Sequence, residues 1–263
     1  MNAGRLEITT HIGCPINCVD CPQALLRSKY TGKRDMDFEE YKQAIDKVPA
    51  NVRIDFSGMC EPFVNPHCAD MILYAAEKGH PLALYTTLQG ATLEDLQKIA
   101  GVGFEVITIH IPDKDNRSTF KITQDYLEVL HNCNCVAYSC HGNIDDRVIP
   151  YLLPGKQLIT FMHDRAGNVE GRPHSQFEDD QPIICCNCGR DLNHNVLLPD
   201  GTVLLCCMDY GMEVVLGNLF NQAYEDLFIS DAAVSLRQRM EHGPCLCRKC
   251  TNARWIVGEA VAD

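Results

Sequence analysis

Sixteen cysteines in 263 residues constrain this chain more than any other feature. Three of them, Cys14, Cys18 and Cys21, sit near the start, and eight more fall between Cys185 and Cys250. Disulfide scaffolds are small and secreted, whereas a chain of this length, 46% apolar, can bury a core without staples. The opening Met1-Asn2-Ala3-Gly4-Arg5 has no apolar run of a secretory signal. No uncharged apolar stretch approaches the eighteen or so residues of a spanning helix. The chain therefore reads as soluble and cytoplasmic, with no membrane partner. Clustered thiolates in a reducing compartment point to metal or iron–sulfur ligation. A formal net charge of −12 argues against a nucleic-acid partner, because phosphate binding needs a basic excess.

Strand-like and helix-like runs alternate through the first part of the chain. Arg5 to Thr10 and Val52 to Phe56 alternate apolar with polar residues, and Leu82 to Tyr85 and Val106 to Ile109 are continuously apolar. Continuous runs suit parallel strands buried on both faces. Phe38, Tyr41, Ile45 and Val48 follow an Asp37-x-x-Glu40 capping box at helical spacing. Asn65-Pro66 predicts the start of a second helix, Thr92 and Asp95 a third, and Ile122 to His131 a fourth. Val136 to Cys140 and Leu158 to Met162 complete about six βα units. Such a series implies a parallel sheet, open or closed into part of a barrel, with its site at the C-terminal strand ends. Cys14, Ser57 to Glu61, Thr86, Thr87 and His110 all fall there.

The texture changes near Arg165. Glu178-Asp179-Asp180 reads as a solvated connector, and Val196 to Leu205 as a hairpin turning at Asp200-Gly201. An amphipathic helix from about Asp231 to His242 leads to the last cysteines. The expected division is a partial (β/α)6 barrel over 1–170 and a small α+β domain over 171–263.

Cys14-x3-Cys18-x2-Cys21 would place three sulfurs on one helical face, but Pro15 and Pro22 bracket the segment and favour a loop. Three ligands rather than four leave an open coordination position. This spacing after a first strand resembles the radical S-adenosylmethionine (SAM) superfamily. There the cysteines hold a [4Fe–4S] cluster whose fourth iron binds SAM. Ser57-Gly58-Met59-Cys60-Glu61-Pro62 is similar to the family's Gly-Gly-Glu-Pro segment, with Cys60 in place of the second glycine. The resemblance implies that Ser57, Gly58, Glu61, Thr87 and His110 contact SAM, with Glu61 accepting from its ammonium group. Asp20 stands where the family usually places an aromatic residue beside the adenine.

The second group, Cys188, Cys206 and Cys247-x2-Cys250, would satisfy a structural zinc site if taken alone. With the hairpin and Leu216-Gly217-Asn218 it resembles the SPASM/twitch extension of radical SAM enzymes. No cysteine follows Cys250, so the match is to the shorter twitch form with one auxiliary [4Fe–4S] cluster on Cys188, Cys206, Cys247 and Cys250. Cys185, Cys186, Cys207 and Cys245 adjoin these ligands. Cys207 and Cys245 are candidates to return a hydrogen atom to a substrate radical.

In size and layout the chain is similar to the aminocyclitol dehydrogenases of the family, and that likeness points to Arg165 as a substrate contact. The resemblance implies reductive cleavage of SAM to a 5′-deoxyadenosyl radical, then hydrogen abstraction from a substrate C–H. The expected outcome is oxidation of a sugar or aminocyclitol alcohol to a ketone, with a flavodoxin- or ferredoxin-type electron donor. Radical epimerisation of a sugar and modification of a peptide remain as alternatives, with a non-catalytic metal-binding module behind them.

Overall fold

The computed structural model describes residues 4–161, 163–172, 174–185, 189–257 and 260–261. Six parallel strands follow one another in chain order: β1 (Arg5–Ile8), β2 (Arg53–Phe56), β3 (Leu82–Thr86), β4 (Phe104–His110), β5 (Ala137–Ser139) and β6 (Gln157–Ile159). Helices α1 (Gln23–Lys29), α2 (Phe38–Ile45), α3 (Cys68–Glu77), α4 (Leu93–Ile99) and α5 (Gln124–Asn132) connect them. The sheet curves without closing, its edges being β6 and a strand from the tail.

Strand β2 is buried along its whole length. Ile54 and Phe56 pack toward the helices, the Phe56 ring lying 6.3 Å from that of Tyr41. Their polar alternates do not face solvent. Arg53 donates to both carboxylate oxygens of Asp55, at 2.6 and 2.7 Å, and to Glu105 at 3.2 Å. In β1, Glu7 is likewise buried and accepts from Ser57 at 2.9 Å. The alternation in β1 and β2 thus separates a charged barrel interior from an apolar helix layer.

Several local starts differ from the sequence reading. Asp37 caps α2 by accepting from Glu39 N and Glu40 N, but Glu40 pairs with Lys33 instead of completing the box. The complete capping box is at Thr92 and Asp95, before α4. Asn65 does not cap α3 directly. Its amide donates to Thr10 O and Met36 O, tying the loop to β1, and the helix begins three residues later. Helix α5 begins at Gln124, capped by Thr123, not at Ile122. Helix α1, directly after Cys21-Pro22, was not expected. Leu93 and Leu158 are exposed. Met162 lies outside the described residues.

The tail begins with β7 (Ile183–Cys185), followed by the hairpin β8 (His194–Leu197) and β9 (Thr202–Leu204), then β10 (Val215–Asn218). Strand β8 pairs in parallel with β1, Arg5 opposite His194 and Ile8 opposite Leu197. The barrel sheet therefore has nine strands, in the order β10-β9-β8-β1-β2-β3-β4-β5-β6. Helix α6 (Asp231–Glu241) starts on a Ser230 cap and buries Ala233, Leu236 and Met240. Strands β11 (Ala253–Val257) and β12 (Ala260–Val261) join β7 in a second sheet. Buried Arg248 donates to the carbonyls of Glu178, Gln181 and Gly243 at 2.6 to 2.7 Å and lies 3.6 Å from the exposed Asp179 carboxylate, so the acidic connector is fastened chiefly by its backbone.

Asp209 holds the turn before β10 by accepting from Glu213 N (2.7 Å) and Val214 N (2.9 Å). It is fully buried, and burial pushes its carboxyl pKa up to about 6 despite those two donors. A carboxyl whose folded pKa is raised binds its proton more tightly in the folded state, so its contribution is largest at low pH. Stability falls by roughly 3 kcal/mol as pH rises from about 4 to beyond 6. Asp209→Asn should remove this slope. Urea midpoints of both proteins between pH 4.5 and 7.5 check it, and parallel curves would rule the assignment out.

Candidate active site

The loop from Ile12 to Pro22 leaves the C-terminal end of β1 in irregular backbone, as the flanking prolines predict. It is pinned to the loop after β4, with Val19 N donating to Arg117 O (2.8 Å) and Thr119 N to Ile16 O (2.6 Å). Cys14, Cys18 and Cys21 all line one cavity of about 250 Å³ at this end of the sheet. Ser57, Gly58, Glu61, Thr87, His110 and Arg165 line the same cavity. A larger cavity, about 720 Å³, lies away from these residues between α4, β4 and the 132–136 segment.

The described cysteines are all free. The Cys60 thiol, hydrogen-bonded to Cys14, holds the Cys14 pKa below the usual thiol range despite burial. Burial pushes the Cys18 pKa up, reinforced by Cys21 and Cys14. Cys21 Sγ lies 3.4 Å from the Tyr210 hydroxyl. One ligand atom each from Cys18, His110 and His141 falls within 4.8 Å of the others. Burial, with His141 alongside, lowers the His110 pKa to about 3, and burial lowers that of His141 as well. Both imidazoles are therefore neutral.

Glu61 is tied into the protein. Its Oε1 accepts from Phe63 N (3.1 Å) and Thr86 Oγ1 (2.6 Å), and its Oε2 from Thr87 N (2.5 Å) and Thr87 Oγ1 (2.6 Å). Burial raises its pKa, and these donors only partly offset the effect. Four donors occupy the roughly four lone-pair directions of a carboxylate. An ammonium group expected at Glu61 would have to displace Thr87. Gly58, at φ +54, makes its close approach to β1, not to a ligand: a Cβ there would lie 2.8 Å from Thr9 N. That approach lets Thr9 Oγ1 accept from Met59 N at 3.0 Å.

Asp20, in place of an aromatic residue, is an ionic anchor. It accepts from Arg117 (2.9 and 3.1 Å) and Arg172 (2.5 and 2.9 Å), and its Oδ2 lies 3.7 Å from His141 Nδ1. Burial opposes its charge, but the two guanidiniums win and hold its carboxyl below the usual range. Arg117 comes from the loop after β4 and Arg172 from the stretch leading into the tail. One carboxylate thus draws three loops around the cavity.

Arg165 projects toward Tyr210, its guanidinium 5.6 Å from the ring centroid, and donates to Cys207 O at 3.3 Å. Cys207 is half-buried beside Glu7 and Arg165, and desolvation there raises its pKa. Cys245 is elsewhere. It lines a separate cavity with His174, Phe177 and Arg248, and a hydrogen bond from Cys247 holds its pKa at about 6. Cys206 and Cys247 each feel Cys185, Cys206 also feels Cys250, and Cys247 is hydrogen-bonded to Cys245, so these five thiols form the tail group among the described residues. Cys186 and Cys188 lie outside the described residues.

Three buried polar atoms around the first cavity have no hydrogen-bond partner: Gln23 Oε1, His110 Nε2 and His141 Nδ1. Buried polar atoms are normally satisfied, so this cavity is shaped for a polar occupant. Three convergent thiols, a soft donor set, fit an iron–sulfur centre. Residues 184–251 match the family model of SPASM, an iron-sulfur cluster-binding domain. A SAM-dependent 2-deoxy-scyllo-inosamine dehydrogenase of Niallia circulans is 22% identical over 265 residues, covering 94% of this chain and 92% of its own.

The tail is similar to SPASM iron-sulfur domains.

The structure of BtrN in complex with AdoMet and 2-DOIA has the same fold, with a TM-score of 0.65 at 18% identity, covering 96% of this chain and 94% of BtrN. Streptococcus suis SuiB bound to precursor peptide SuiA gives a TM-score of 0.54 at 12% identity, covering 94% of this chain and 71% of SuiB. Among the described residues no helix is long and apolar enough to cross a membrane. Sequence reasoning missed Asp20's role, His141, Tyr210 and Glu7. His141 follows β5 just as His110 ends β4, so the strand-end rule that found one applies equally to the other. Tyr210 carries no such signal.

Proposed function

We propose that this chain is a radical SAM enzyme that oxidises a secondary alcohol of a small polyhydroxylated ring, a sugar or aminocyclitol, to a ketone. The observation that carries the reading is the charged barrel interior beside the three-cysteine loop: Glu7, Ser57, Arg165 and Tyr210 within one buried region. A polyol offers hydroxyls to each of these groups, and an amino substituent would meet the Glu7 carboxylate. The size and layout shared with the 2-deoxy-scyllo-inosamine dehydrogenase support the same substrate class.

Cys14, Cys18 and Cys21 would hold the [4Fe–4S] cluster that binds SAM, and Cys188, Cys206, Cys247 and Cys250 an auxiliary one. Together these groups supply hydrogen-atom abstraction from an unactivated C–H and acceptance of the second electron, which no side chain provides. The chain's own work is positional. Arg165 presents a fixed fork of donors to a substrate oxygen and is itself oriented by Tyr210 and Cys207 O. Asp20 and its two arginines close the loops over the cavity and exclude water. Cys207, beside Arg165, is better placed than Cys245 to meet a substrate carbon. Desolvation keeps it a neutral thiol. In the oxidation, CH–OH gives up one hydrogen atom, one proton and one electron to become C=O. A flavodoxin- or ferredoxin-type protein is the expected source of the priming electron.

The test is anaerobic incubation of the reconstituted enzyme with SAM, a reductant and 2-deoxy-scyllo-inosamine or related aminocyclitols. Ketone and 5′-deoxyadenosine should form in equal amounts. Arg165→Lys should raise KM by roughly tenfold or more, since a lysine cannot reproduce the two-pronged contact. Abundant 5′-deoxyadenosine without ketone from any polyol would remove this substrate class. Ring-inverted product in place of ketone would make the enzyme an epimerase.

A further inference from the structure

We infer that the exposed cations Arg27, Lys29 and Arg34, which border the Cys14 loop, form the docking surface for an acidic one-electron donor protein. The inference rests on the radical SAM reading, since only a redox centre behind this surface gives it a purpose.

The segment from Cys21 to Arg34 contains four cations and no acid, in a chain whose formal net charge is −12. Lys33 is neutralised by Glu40. Arg27, Lys29 and Arg34 are exposed, and among the described residues none of them forms an ion pair. Two of them lie against the redox loop itself. Arg34 Nε donates to Ile12 O at 3.2 Å. A Cβ built on Gly13 would lie 2.5 Å from Arg34 Nη2 and 3.9 Å from Arg27 Cδ. Both arginines therefore cover the backbone immediately before Cys14.

Arg27 and Lys29 also occupy the last turn of α1, where cations complement the helix dipole. That role accounts for two charges in one turn. It does not account for Arg34, which reaches the same loop from beyond the helix.

A donor protein with an acidic face is repelled by most of this molecule and attracted here. Local charge of this kind steers encounter and fixes orientation without a large interface. Electron-transfer complexes are characteristically small and short-lived, so three cations around one loop suffice. On docking, the donor would give up one electron, and the centre that Cys14, Cys18 and Cys21 would hold would take it up. No atom is transferred.

The experiment uses the reconstituted full chain, a flavodoxin as the acidic donor, and dithionite as a small reductant that needs no docking surface. In R27E/K29E/R34E the dissociation constant for flavodoxin should rise at least roughly tenfold, and flavodoxin-driven 5′-deoxyadenosine formation should fall in step. Dithionite-driven formation should stay within about twofold, and the wild-type flavodoxin affinity should weaken with added salt. The neutral variant R27Q/K29Q/R34Q should show a smaller loss in the same direction and guards against misfolding by charge reversal. Equal losses with both reductants in both variants would reduce these residues to a structural role and overturn the inference. Unchanged flavodoxin affinity would place docking elsewhere and overturn it too. A wild-type protein that binds flavodoxin yet makes no 5′-deoxyadenosine with dithionite would refute the radical SAM reading, and the electron-delivery role with it.

Discussion

Replacing Cys14, Cys18 and Cys21 together by alanine should remove about half of the bound iron and abolish 5′-deoxyadenosine formation. Two four-iron centres amount to about eight irons per chain, and the variant should retain about four. The expectation follows from the location of the thiols. Cys14, Cys18 and Cys21 line the cavity at the strand ends, whereas Cys185, Cys206, Cys247 and Cys250 sit in the tail. The proximity of Cys18 to His110 and His141 provides the competing outcome, since a thiolate with two neutral imidazoles is also a donor set for one zinc ion. Iron, sulfide and zinc counted on the same sample separate the two. Zinc in the wild type that vanishes with Cys18, with iron unchanged, would defeat the cluster assignment.

Glu61 should prove an anchor of the fold, whatever its part in binding SAM. Glu61→Ala leaves two hydroxyls and two backbone N–H groups facing a void, a loss of about 3–5 kcal/mol. Glu61→Gln preserves shape but turns one accepting oxygen into a donor opposite Thr87, costing about 2 kcal/mol. Urea denaturation of the apoprotein measures both losses without any cofactor. A residue whose whole role is to bind the SAM ammonium group would lose SAM affinity in Glu61→Gln while keeping its denaturation midpoint. That result would contradict the anchoring role.

The parallel series was legible because strands buried on both faces leave continuous or regularly alternating apolar runs, as in Leu82 to Tyr85. The strand ends then located Ser57, Gly58, Glu61, Thr87 and His110 in one cavity. What escaped reading depended on partners distant in sequence. Asp20 finds Arg117 and Arg172 only after folding, and nothing local marks those arginines. Tyr210 meets Cys21 across 189 positions. Glu7 is the polar alternate of a strand, and charge normally signals solvent, yet the barrel interior is polar here. Asn65 carried a real capping signal and its Oδ1 accepts from His67 N at 2.9 Å, but its amide also donates to Thr10 O and Met36 O, a tertiary tie that no local pattern marks. Cys245 seemed equivalent to Cys207 in sequence, both being neighbours of expected ligands, and the tail's folding separates them.

The pairing of β8 with β1 makes the SPASM tail something other than an interchangeable cassette. The hairpin that leads to Cys206 is hydrogen-bonded to the strand that leads to Cys14, through Arg5 N to Asn193 O and Thr9 N to Leu197 O. Strand β9 runs antiparallel to β8, so the Cys206 loop leaves the end of this ladder opposite to the Cys14 loop, with no hinge between β8 and β1. Their separation is thus fixed by backbone geometry, and an electron crossing between centres held on them would travel a constant path. Lineages that shed the tail would expose the bare edge of β1, an aggregation hazard that demands a replacement strand before the barrel can stand alone.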